Sequence, residues 1–210
     1  MRLGLLVLLM LASSACGLAT HVRPTAAGQL ELEAAVGGPA AEVNGIPVVL
    51  PLSTVGASYG IVDRLDVSAH LHLSSLVLLN PGLDLGVSGL LVEENRGWPA
   101  ITVGVRGYAF TDFTGFQPYF EVNLTGSYKL WDALLVYASA SGVGAYDGTG
   151  HGSGALGAQL RLERWSFQLE VRWYDLTYDT RYSSIRWLSP DGMGALGGVL
   201  AASYRFDLLR

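Results

Sequence analysis

From residue 29 onward the chain alternates apolar and non-apolar residues, segment after segment, with turn residues between the segments. In the stretch 166–173, Phe167, Leu169, Val171 and Trp173 share one face of a strand while Gln168, Glu170 and Arg172 share the other. Stretches 65–73, 120–130 and 156–163 repeat the pattern. A helix would scatter these faces, because 100° per residue does not keep every second side chain together. The alternation and the turn signals between segments predict ten strands, at 29–36, 54–62, 65–74, 83–92, 101–111, 119–130, 134–146, 156–163, 166–174 and 194–209. Connections near residues 63, 95, 131 and 164 are short, and those near 40, 78, 114, 150 and 185 are longer, the stretch 147–154 reading as a glycine-rich loop.

Composition changes what the two faces imply. Hydrophobic residues make up 50% of the 210, charged residues only 15%, and there are 27 glycines. A soluble antiparallel sandwich carries more charge on the faces that meet water. Apolar sides this numerous point instead at acyl chains, with the polar sides enclosed. After the N-terminus no apolar run approaches the roughly 20 residues a membrane helix requires, so a span would be made by strands. Such strands must close on themselves, because an open edge in lipid leaves backbone N–H and C=O groups without partners. The expected fold is therefore all-β: a closed, antiparallel, up-and-down transmembrane β-barrel of about ten strands over residues 29–210. A soluble lipocalin-like barrel or a periplasmic sandwich is the alternative, since alternation alone does not say which face meets the core.

A net charge of -5 and the absence of a Lys/Arg cluster exclude nucleic acid as a partner. Met1 and Arg2 followed by an apolar run to Ala12 have the build of a secretory signal peptide, taken as residues 1–15. Residues 16–28 then read as a short periplasmic segment ahead of the barrel. Cys16 is the chain's one cysteine, so no internal disulfide forms. Ser13-Ser14-Ala15-Cys16-Gly17 resembles the lipobox of bacterial lipoproteins, which implies Cys16 as a lipid anchor; Ser13 and Ala15 serve an ordinary signal peptidase equally well.

The whole chain after residue 28 resembles the small bacterial outer-membrane β-barrels, and its closing alternation of Tyr204, Phe206 and Leu208 is similar to the final strand that such proteins present to the barrel-assembly machinery. The resemblance implies residence in the outer membrane, outer-membrane lipid and the assembly machinery as partners, short turns and both termini in the periplasm, and long loops outside.

The inward faces collect a lumen polar network of both signs: Glu31, Asp66, His70, His72, Asp84, Arg106, Glu121, Lys129, Arg161, Glu170, Arg172 and Arg205, with Glu33, Glu163 and Asp207 beside them. In a barrel this narrow, side chains of that size would nearly fill the middle and pair with one another. His70 and His72, two apart on one face, are spaced for a shared metal, but no third ligand can be assigned, and bonding to acids such as Asp66 or Asp84 is the simpler expectation. Asp147 and His151 lie in an exposed loop near Ser153, Asp175 and Asp179 lie at another rim, and no motif joins them into a catalytic set. Neither a cofactor nor an enzymatic activity is expected. The function expected is a structural or surface-interaction barrel with a mostly filled, ion-paired lumen; a narrow passage for small or apolar solutes and a rim-site enzyme acting on lipid or peptide are the alternatives.

Overall fold

The computed structural model describes residues 18–77, 79–111, 113–146 and 148–208. Its strands are β1 (Gln29–Val43), β2 (Ile46–Val49), β3 (Leu52–Val62), β4 (Leu65–His72), β5 (Gly82–Val92), β6 (Ala100–Thr111), β7 (Phe116–Trp131), β8 (Leu134–Ala145), β9 (Gly150–Arg161), β10 (Trp165–Asp179) and β11 (Met193–Asp207). Each pairs antiparallel with the next, except that β3 follows β1 in the wall, and β11 closes the ring on β1 from Gln29↔Asp207 to Pro39↔Gly197. The wall is thus a closed ten-stranded up-and-down barrel. β2 stands outside it, folded back on the far end of β1.

That extra strand follows from local chemistry. A two-residue hairpin needs positive φ at both turn positions, which Asn and Gly tolerate best, and Asn44 (φ 53) and Gly45 (φ 80) join β1 to β2 in this way. The long connection expected at 37–53 is therefore a projecting hairpin. Segment 186–188 pairs with the other edge of this extension, through Glu42 N–H donating to the Arg186 carbonyl and an Ala41–Trp187 bridge. Two further expectations are corrected. Residues 150–154 belong to β9, where Gly152 and Gly154 pair with Gly142 and Ala140 in a regular ladder. The connection after β4 carries one short helix, α1 (Leu73–Val77).

The faces are those of a barrel turned inside out. Leu169 is 59% exposed and Val171 56%, whereas Glu170 between them is fully buried. On β4, Asp66, Ser68, His70 and His72 are buried, and Leu65, Val67 and Leu71 face outward. Apolar surface is favourable outside only where the surroundings are themselves apolar. Aromatics gather at both ends of this belt, with Trp98, Trp131 and Trp165 at the short-turn end and Phe113, Tyr146 and Tyr182 at the long-loop end. Inside, several large rings lie over a glycine directly opposite on the next strand, Tyr137 over Gly157, Phe110 over Gly82 and His70 over Gly56. The glycine leaves the floor on which the ring rests, which accounts for part of the high glycine count.

Candidate functional site: the occupied lumen

The interior holds more than wall side chains. Residues 18–25, expected as a separate segment ahead of the barrel, run inside it. The chain reaches β1 through a parallel bridge of Ala27 to Gly60 and a Gly28 N–H to Gly60 carbonyl bond at the short-turn end. Upstream, Leu18, Ala19, Val22 and Thr25 are each at most 4% exposed. Alternation could not announce this segment, because it is held by isolated contacts and not by a ladder. Its signal lies in the wall. Ser58, Thr102, Ser127 and Ser139 face inward with side chains too short to meet across a ten-stranded ring, and the segment occupies the space they leave.

Three clusters of charge organise the site. In the first, Asp84 is fully buried, its Oδ1 lies 3.0 Å from His70 Nδ1, its Oδ2 lies 3.1 Å from His72 Nε2, and Arg106 Nε stands 3.5 Å away. The ring of His72 packs on Phe110 at 5.0 Å, and Tyr108 donates to Glu121. A carboxylate shared this way fixes both imidazoles. Among the described residues no group of three or more His, Cys, Asp or Glu side chains is arranged to hold a metal ion.

In the second cluster, Glu170 accepts from Arg172 Nε at 2.8 Å, from the Tyr137 hydroxyl at 2.8 Å and from the Thr20 backbone N–H at 3.2 Å. Arg172 also donates to the Thr20 hydroxyl at 3.0 Å, and Gln168 donates to the Thr20 carbonyl at 3.0 Å. The third lies nearer the short-turn end. Asp66 meets His21 Nε2 at 2.7 Å and accepts from the Thr25 N–H at 2.7 Å. At the rim itself Arg23 reaches Ser127 at 2.9 Å and pairs with Glu94. The hydrogen bond from Arg23 holds the Glu94 carboxyl below its ordinary range.

The remaining network residues stand as follows. Glu31 accepts from Ser203 across the β1–β11 seam. Arg161 points inward and is partly buried. Lys129, expected inside, is exposed at the short-turn rim and pairs with Asp132 at 3.2 Å, because β7 has left the enclosed part of the barrel by that point. Arg205 is half-buried near the same end, its Nε enclosed, and donates to the Leu162 carbonyl at 2.7 Å, whereas Glu163 and Asp207 are exposed. Cys16, Asp147 and the stretch 1–15 lie outside the described residues. At the long-loop rim, His151 Nδ1 meets Asp175 Oδ2 at 3.0 Å, and the Asp175 N–H lies 3.5 Å from the Ser153 hydroxyl. Asp179 pairs with Arg181.

No protein-family model matches the chain, and no curated relative matches it. Among solved structures it is similar to the translocator domain of the autotransporter NalP from Neisseria meningitidis, at 12% identity over 87% of this chain and 90% of that one, with a TM-score of 0.49. It is similar to an outer membrane channel from Pseudomonas putida F1, at 9% identity over 90% and 99% of the two chains and a TM-score of 0.47. An outer membrane protease from Escherichia coli is similar at 11% identity over 90% and 100%, with a TM-score of 0.41.

Proposed function

We propose that this chain is a bacterial outer-membrane barrel with a closed lumen, serving as a structural or surface-contact element whose long rim loops meet the exterior. Support for the membrane comes from the outward belt of Leu, Val and Phe around a fully buried Glu170, Asp66 and Asp84. The observation that carries the closed state is the segment 18–25 hydrogen-bonded along the lumen. In this reading the short turns face the periplasm, and Tyr204, Phe206 and Leu208 form the strand offered to the assembly machinery. Purified chain in planar bilayers is the test. Silence, together with heat-modifiable migration on gels and extraction only by detergent, is expected; steady conductance overturns the closed reading, and recovery in plain buffer overturns the membrane reading.

A second reading, a rim-site enzyme acting on lipid or peptide, is supported by the His151–Asp175 pair at 3.0 Å, where a carboxylate orients an imidazole that is about one-third exposed. Turnover of such substrates that is lost on His151→Ala would establish it, and turnover unchanged by His151→Ala would overturn it.

A further inference from the structure

The segment inside the lumen is fastened unlike the wall around it. The wall is one continuous hydrogen-bonded ladder that closes between β1 and β11 without help from residues 18–25. The segment is tied by separate polar contacts from Thr20, His21, Arg23 and Thr25, each of which can be exchanged for a hydrogen bond to water. Its apolar side chains cluster at two places, Ala19 with Ala35 and Val199, and Val22 with Leu135 and Tyr137, and Leu18 is buried as well. Downstream the segment is continuous with β1 through Gly28 at the short-turn end, so it can be drawn out that way while the wall stays paired.

Charge says what would follow. The segment brings Arg23 and His21, and these answer two wall acids, Glu94 and Asp66. Once it is gone, those carboxylates face an open lumen together with Glu31, Glu33, Asp84, Glu121 and Glu170, against Arg106, Arg161, Arg172 and, near the rim, Arg205. Carboxylates outnumber guanidiniums along such a path, and rings of acid favour cations.

We propose that residues 18–25 form a removable internal plug, and that drawing them out through the short-turn end converts the barrel into a passage for small hydrated cations. The resting barrel remains the closed one described above, and the passage is a second state of the same chain.

The test is a full-length chain carrying Cys16→Ser, Arg23→Glu, Thr25→Cys and Ser58→Cys. The new glutamate opposes Glu94 and weakens the plug, while the Thr25 and Ser58 hydroxyls, 2.8 Å apart, mark a site where a disulfide locks it. Oxidised protein is expected to be silent in planar bilayers. Reductant is expected to raise open time about tenfold or more, as loss of an ion pair and gain of a repulsion predict, with potassium favoured over chloride in a salt gradient. Openings that ignore reductant, or that favour chloride, overturn the proposal, as does a reduced chain that stays silent. Heat-modifiable migration certifies that the chain is folded, and Thr20→Cys with Ser139→Cys, hydroxyls 3.3 Å apart, provides a second lock. Steady conductance from the unmodified chain would instead overturn the closed resting barrel, so the two failures are separable.

Discussion

Glu170 and Arg172 stand two residues apart on the inner face of β10, with Arg172 Nε donating to Glu170 Oε1 at 2.8 Å. Glu170 is fully buried, so removing it leaves a guanidinium enclosed without its main partner, a change that costs about 3–5 kcal/mol in buried pairs. Glu170→Ala is therefore expected to lower the unfolding free energy, read from the urea midpoint and slope in lipid vesicles, by an amount of that order. The double variant Glu170→Ala, Arg172→Ala is expected to recover part of the loss, since no charge is then stranded. Equal midpoints for Glu170→Ala and the parent chain would remove the pair from any account of stability.

Leu169, next to Glu170 in sequence, points the other way and is 59% exposed. Facing water, Leu169→Arg would be nearly neutral. Facing acyl chains near the middle of the belt, it is expected to cost about 2–4 kcal/mol. Unfolding titrations in vesicles distinguish the two environments directly, and a neutral result would place this face in water.

The wall was readable because strand alternation reports a face directly: Phe167, Leu169 and Val171 faced outward as the two-residue period requires, and the enclosed positions of Asp66, His70 and Glu170 followed from the same count. Two things escaped. β2 was signalled by Asn44-Gly45, but its four residues are all exposed, so the strand shows no alternation to detect. The plug escaped because Thr20, His21 and Thr25 gain their meaning from Glu170, Asp66 and Ser58, which lie between 33 and 150 residues away. Lys129 shows the opposite error. Its parity is inward, but parity does not say where along a strand the enclosure ends.

Arg23 and Glu94 give the plug's short-turn end a pH dependence. The carboxyl is held below its ordinary value when folded, so its contribution to stability is complete above the unfolded carboxylate range and is lost as pH falls through the depressed folded value. The midpoint difference between the parent chain and Glu94→Gln is accordingly expected at neutral pH and should vanish in acid. The pair is partly exposed, so the difference is also expected to shrink with added salt. A gap that widens in acid would contradict the pairing.

Gly157 lies directly across from Tyr137 on β9, and a Cβ added there would press into the phenol ring and hydroxyl that serve Glu170. Gly157→Ala is thus expected to displace Tyr137 and to destabilise by about 1–3 kcal/mol, the usual cost of overfilling a packed interior. Gly142 on β8 is the control. A Cβ there meets nothing within 4 Å, so Gly142→Ala is expected to be neutral or slightly stabilising through the unfolded chain. The same unfolding titration applies to both, and tryptophan-free near-ultraviolet bands from tyrosine should shift only in Gly157→Ala when measured in a background that replaces the tryptophans. Equal effects at the two glycines would mean that the ring over Gly157 moves freely, and the packing assigned to the lumen around Glu170 would then be wrong.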